Sequence, residues 1–246
     1  MALRPGSSLE VVYTKCLLPN YDIFDEEKYF TPGREARTIE FDGRKIGLLI
    51  CEDMWTSTLH PMDPVEDLQN KVKEEGGKID LIVNLSASPF NLRMLTRRLE
   101  RAKEIASSFQ APFCYVNRVG GEDELLFDGR SFIAFPHQEN AYLQAKAFEA
   151  DLISGDIESE LQNYQEKKLD TAFKGVKENT WEALFSPDLV FPSEQGLPHL
   201  PELTEDKCRA ITQALAFGVQ EYARKSGFKK FLVALSGVID SALVRT

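Results

Sequence analysis

Histidine is scarce: His60, His137 and His199 lie far apart along 246 residues, so a histidine-based triad or metal cluster has little to be built from. The four cysteines, Cys16, Cys51, Cys114 and Cys208, include no C-x-x-C pair. That pattern argues against a zinc ribbon or redox dithiol and suits a reducing, cytoplasmic compartment. No apolar run approaches the ~20 residues that span a bilayer, and the opening residues lack the apolar stretch of a secretory signal. Basic residues are outnumbered 39 to 29, giving a net charge of −10. With no basic cluster to offset it, that balance argues against nucleic acid as a partner. Small-molecule chemistry by cysteine, lysine and carboxylates is what the composition leaves, on a chain whose 43% hydrophobic content can supply a core.

Along the chain the pattern alternates strand and helix. Lys45–Ile50 is a short apolar run of the buried-strand type, ending at Cys51-Glu52-Asp53. After a long connection, Ile79–Leu85 repeats the design, Met94–Ser108 reads as a helix, and Pro112–Asn117 as the next strand. Ser131–Phe135 and Ala145–Ile157 alternate more, as edge strands or hairpins do. These features divide the chain into a first domain at 1–157, a linker at 158–202 with prolines at 187, 192, 198 and 201, and a second domain opening at 203–246. There, Thr204 with Glu205 and Asp206 predicts a capped helix running to about Lys225. Gly227 ends it, Phe228–Leu235 is expected as a buried strand, and 236–242 turns into a further helix.

Cys51 is the first chemical candidate. A cysteine after an apolar strand is, taken alone, more often a small buried hydrophobe than a nucleophile. A thiol becomes a nucleophile when a base or cation favours the thiolate, and Lys15 and Glu26 lie upstream in a segment dense in turn residues.

Several motifs in order carry a more specific signal: Lys15-x-x-Leu18-Pro19-x-Tyr21, Phe24-Asp25-Glu26, Tyr29-Phe30-x-Pro32-Gly33, Ile50-Cys51-Glu52-Asp53-x-Trp55, Asn84-x-Ser86-Ala87-Ser88-Pro89 and Phe127-Asp128-Gly129-x-Ser131. From about Val11 to Asp156 they resemble the amidase half of glutamine-dependent NAD⁺ synthetases, a branch of the nitrilase superfamily. The resemblance implies an α/β fold, a partial αββα sandwich with a Glu-Lys-Cys triad. In it Cys51 would attack the side-chain amide of glutamine and release ammonia through a thioester. Lys15 would stabilise the oxyanion with help from the backbone N–H after Cys51, and Glu26 resembles a loop-borne glutamate that positions the triad. Tyr21 would border the pocket, Glu52 and Ser88 match positions that hold glutamine, and Arg93 would assist where the family shows a basic residue at the position of Met94. Phe127-Asp128-Gly129 reads equally as a structural turn. The general-base glutamate of the family sits in a Phe-Pro-Glu-Leu type segment upstream of the lysine, which these residues do not include. Turnover by this chain alone is therefore expected to be low, positioned proton transfer contributing ~10²–10⁴-fold.

Ser236-Gly237-Val238-Ile239-Asp240-Ser241 resembles the pyrophosphate loop of ATP pyrophosphatases, with Val238 where the family has a second glycine. Such a turn between strand and helix aims backbone N–H groups at phosphate. The resemblance implies that Ser236, Gly237, Asp240 and Ser241 bind ATP, with Asp240 holding Mg²⁺, in the first βα unit of a doubly wound domain. Whole relatives would couple glutamine hydrolysis to ATP-dependent amidation of deamido-NAD⁺ and assemble as homo-oligomers. Two alternatives stay open. One is a non-catalytic product, either a truncated chain or an interaction module that associates with a full-length homologue. The other is a free-standing amidase, against which the residues after Glu202 argue.

Overall fold

The computed structural model describes residues 11–21, 23–55, 62–136, 138, 140–160 and 204–234. Its sheet opens with a hairpin in which β1 (Arg37–Phe41) turns back antiparallel into β2 (Arg44–Ile50), Arg37 opposite Leu48. Asp42 and Gly43 make the turn, both at positive φ, as an Asp-Gly pair does in two-residue hairpins whose twist matches the strands. From β2 the pairing becomes parallel, to β3 (Leu81–Ser86) and then β4 (Phe113–Asn117). A separate two-stranded ribbon follows, β5 (Val119–Glu122) against β6 (Leu125–Asp128). Two short antiparallel strands, β7 (Phe132–Ala134) and β8 (Leu143–Gln144), extend the main sheet beyond β4.

The parallel connections are made by α1 (Pro64–Glu74) and α2 (Met94–Phe109). The Asp63 carboxylate caps α1 by accepting from the N–H groups of Val65 and Glu66, with Pro64 in the first turn. Val65, Leu68 and Val72 then share one helix face. They pack with Ala102, Ile105 and Ala106 of α2 on Leu49, Ile82, Phe113, Tyr115 and Phe132 of the sheet. Both helices therefore cover one face. On the other, Leu48 and Ile50 pack under Tyr13, Cys16 and Leu17, while Leu85 and Val116 are exposed. Among the described residues the structure is thus one helix–sheet layer of α/β type.

A further helix, α3 (Glu205–Lys225), is capped by the Thr204 hydroxyl, which accepts from the Lys207 N–H. It lies on the β5–β6 ribbon: Gly218 faces Leu126, Phe217 meets Phe148, and the Lys225 ammonium donates to the Gly121 carbonyl. No helix among the described residues is long and apolar enough to cross a membrane.

Three sequence expectations change here. The long connection after Cys51 contains α1, and β1 precedes the first expected strand. Ala145–Ile157 holds no strand beyond a single bridge at Ala147; Phe148 takes φ 57, and the exposed Glu149 and Asp151 alternate with nothing buried. Residues 228–234 form no strand either, with Phe228, Phe231 and Leu232 exposed. A strand needs a neighbouring strand for its backbone hydrogen bonds, and among the described residues no strand pairs with this segment. The expected helix at 236–242 lies outside the described residues.

Candidate active site

Cys51 stands where β2 ends, at φ 48, in a short 3-10 turn, Cys51–Met54. A non-glycine residue in this region is strained by the order of 1 kcal/mol or more and persists only where its surroundings fix it. Asn84, fully buried on β3, does so from both sides. Its Oδ1 accepts the Cys51 N–H at 2.7 Å and its Nδ2 donates to the Cys51 carbonyl at 3.3 Å. Ser86 Oγ donates to the same Oδ1 and fixes the amide.

Asp53 ties this turn to the segment that carries Lys15. Its carboxylate, wholly buried, accepts the N–H groups of Cys16 (3.0 Å), Leu17 (2.8 Å) and Ile50 (3.0 Å) and the Tyr13 hydroxyl at 2.7 Å. Burial pushes its acidity down, and these donors act the other way. Lys15 follows as the arm of that stretch. Its ammonium meets Glu26 Oε2 at 2.5 Å, both side chains largely enclosed. Tyr21, on the intervening loop, donates its hydroxyl to the Glu52 carboxylate at 3.1 Å.

Several of these groups act on the sulfur. Burial pushes the Cys51 thiol up; the Lys15 ammonium and the backbone N–H of Ala87 favour the thiolate, and Glu52 and Glu26 oppose it. Glu52 itself, buried beside Cys51, is pushed up to about 7. Burial is the main cause; the Tyr21 hydroxyl and Lys15 act against it, and Glu26 and Asp53 add to it. The folded state therefore holds this proton more tightly than the unfolded chain, whose carboxyl titrates near 4.5. The resulting stability is complete below about pH 4.5 and is lost as the pH rises through about 7, by about 3 kcal/mol. Denaturant unfolding at pH 4.5, 6 and 7.5 is expected to show wild type losing this much relative to Glu52→Gln. A change below about 1 kcal/mol would mean that Glu52 is ionised throughout.

The remaining candidates fall differently. Ser88 is buried, but its Oγ accepts from Arg98 Nε at 3.2 Å, and its carbonyl accepts from Arg98 Nη2 and Asn117 Nδ2. Arg93 is exposed at the start of α2, its N–H held by Asn91, and it is not drawn into the cluster around Cys51. Asp128 of the Phe127-Asp128-Gly129 segment is a structural partner, ion-paired with Arg98 at 2.8 Å in the interior. Ser236, Gly237, Asp240 and Ser241 lie outside the described residues. Asn84, Asp53 and Arg98 carried no role in the sequence reading. Asn84 and Asp53 stand within its quoted motifs, but the segments they join lie more than thirty residues apart, Asn84 reaching Cys51 and Asp53 reaching Tyr13, Cys16 and Leu17.

The family pattern described as carbon-nitrogen hydrolase matches residues 1–166. The chain belongs to this family. Along its length it is similar to glutamine-dependent NAD⁺ synthetases: that of Thermotoga maritima is 32% identical, with 95% of this chain and 39% of the relative covered. That of Aquifex aeolicus is 34% identical, with the same shares, 95% and 39%. The solved glutamine-dependent NAD⁺ synthetase of Acinetobacter baumannii, in complex with ADP, superposes with a TM-score of 0.67 at 29% identity, over 98% of this chain and 38% of that one. The chain thus spans less than two fifths of the length of these relatives.

Proposed function

We propose that this chain carries the glutamine-hydrolysing site of a glutamine-dependent NAD⁺ synthetase. The observation that supports this most is the convergence on one sulfur: Cys51 held at a strained strand end, with the Lys15 ammonium, itself anchored at 2.5 Å on Glu26, and the Ala87 N–H both favouring its thiolate. The thiolate attacks the side-chain amide carbon of glutamine. Lys15 and the backbone N–H that follows Cys51 bear the oxyanion charge. The C–N bond then breaks and nitrogen leaves as ammonia, taking the proton that the thiol gave up, giving a thioester; the general-base glutamate that would carry this proton is the one these residues do not include. Water attacks that carbonyl, releasing glutamate and the thiolate. Glu26 holds Lys15 in place, while Tyr21 and Glu52 form a polar wall suited to the α-ammonium of glutamine; Ser88 and Arg93 belong to this reading as further substrate contacts. The domain division at 157 and 203, ATP binding at Ser236, Gly237, Asp240 and Ser241 with Mg²⁺ at Asp240, and transfer of ammonia to deamido-NAD⁺ extend it to the synthetase half. A cytoplasmic location, small molecules rather than nucleic acid or membrane as partners, and homo-oligomeric assembly complete it.

A glutamine-like diazo-ketone is expected to alkylate Cys51 in the folded chain in preference to Cys16, Cys114 and Cys208, and excess glutamine is expected to slow the reaction. Peptide mass mapping reads the site, with Cys51→Ala as the blank. Preferential modification of any of the other three cysteines would overturn the assignment.

A further inference from the structure

The loop that presents Glu26 has little regular structure. Glu26 begins a three-residue 3-10 turn, Glu26–Lys28, with no side-chain cap, and such turns are too short to hold themselves. Two backbone bonds fasten the loop to the Lys15 segment instead. Near its start the Glu26 N–H donates to the Pro19 carbonyl at 3.1 Å; at its far end the Gly33 N–H donates to the carbonyl of Lys15 itself at 2.7 Å.

The second bond needs a very close approach. A Cβ at Gly33 would stand 2.3 Å from the Thr14 carbonyl oxygen, 3.0 Å from the Thr14 carbonyl carbon and 3.3 Å from Cys16 Sγ. The first two are backbone atoms that no rotamer change can move. Nor can their segment give way easily, since Asp53 holds the N–H groups of Cys16 and Leu17, and the Cys16 thiol lies 3.7 Å from both the Thr14 and Glu35 carbonyl oxygens. With one side fixed, any side chain at position 33 must lift the loop.

We propose that Gly33 is a positioning residue for the nucleophile: by admitting the loop to within hydrogen-bond distance of the Lys15 backbone, it sets the Glu26–Lys15 pair and through it the ammonium that favours the Cys51 thiolate. The inference rests on the amidase reading above and adds to it a residue that touches neither substrate nor sulfur. Gly33→Ala lengthens the Gly33–Lys15 bond, carries Glu26 away, and leaves the Lys15 side chain without the partner that fixes it.

The test is the rate of Cys51 alkylation as a function of pH in the full chain, with iodoacetamide as the probe and peptide mapping as the readout. Gly33→Ala is expected to raise the pH midpoint by about one unit and to slow the reaction about tenfold at neutral pH, one unit being tenfold in thiolate. Added to Glu26→Ala, it is expected to change the rate by less than about twofold, because two substitutions acting through one contact are not additive. Gly43→Ala serves as control. It strains a backbone at φ 72 with nothing within 4 Å of the new methyl group, and leaves the Cys51 profile as in wild type. Cys16, buried beside Gly33, reports on the fold in the same digest and is expected to stay unmodified. A wild-type profile in Gly33→Ala, an effect fully additive with Glu26→Ala, or exposure of Cys16 together with the loss at Cys51 would each overturn the proposal. If instead Cys51 of the unsubstituted chain reacts no faster than the exposed Cys208, the amidase reading fails first, and the inference with it.

Discussion

Replacing Arg98 by methionine is expected to remove about 3–5 kcal/mol of unfolding free energy, the effect of leaving a buried charge without its partner. Arg98 is fully buried on α2, and its guanidinium is used on several sides: Nη1 pairs with Asp128 at 2.8 Å, Nη2 donates to the carbonyls of Ser88 and Pro89, and Nε donates to Ser88 Oγ. The group also lies over the Tyr115 ring at 5.9 Å. Methionine fills much of the volume, so the loss reports unsatisfied carbonyls and an Asp128 carboxylate left with the more distant Arg130 guanidinium at 3.9 Å, rather than a cavity. Against a total of ~5–15 kcal/mol for a typical domain, a deficit of that size brings the fold close to its limit. Urea unfolding measures it. Arg98→Met combined with Asp128→Leu is expected to recover part of the loss, since the second change removes a buried charge that has lost its short ion pair; no recovery would mean that the arginine acts through packing alone. Because Arg98 holds the loop beside Ala87, whose N–H faces the sulfur, Cys51 reactivity is expected to fall together with stability.

Asp53→Asn is expected to lower stability by about 2–5 kcal/mol, from a change of one atom. Each carboxylate oxygen of Asp53 accepts two donors, Cys16 and Leu17 N–H on Oδ1, Ile50 N–H and the Tyr13 hydroxyl on Oδ2. Whichever way the amide is turned, its NH₂ faces two groups that donate, and each buried donor left unsatisfied costs about 1–3 kcal/mol. Tyr13 can rotate its hydroxyl and offer a lone pair to the amide, which sets the low end of the range. Denaturant unfolding gives the size. Cys51 alkylation in the same variant shows whether the Lys15 segment has moved from the nucleophile. A loss under about 1 kcal/mol would mean that the site relaxes or admits water.

Local signals account for the elements that were legible. Lys45–Ile50, Ile79–Leu85 and Pro112–Asn117 are apolar runs that fold as β2, β3 and β4 within a residue or two, because a central strand is enclosed by its neighbours and is written in apolar residues. The capped helix after Thr204 ends at Lys225 as its charges and Gly227 indicate. The Asp63-Pro64 start of α1 was equally available, a cap followed by proline in the first turn. Its apolar period is faint, because Val65, Leu68 and Val72 are diluted by charged residues.

The sequence by itself determined the α/β character, the place of Cys51 at a strand end and the family, since periodicity, capping and motif order act over a few residues and survive without knowledge of the partner. Only the tertiary structure decided which polar groups are buried together. Asn84 clamps Cys51 from 33 residues away, Asp53 reaches back 36 residues to Leu17, and Arg98 finds Asp128 across 30. Nothing in the spelling of an asparagine, aspartate or arginine says whether it faces water or the interior. The same holds for residues 228–234, whose apolar spelling suits a strand and which stand exposed without one. An apolar run carries the propensity for a strand, but the hydrogen bonds that make it one belong to a neighbour that the run does not encode.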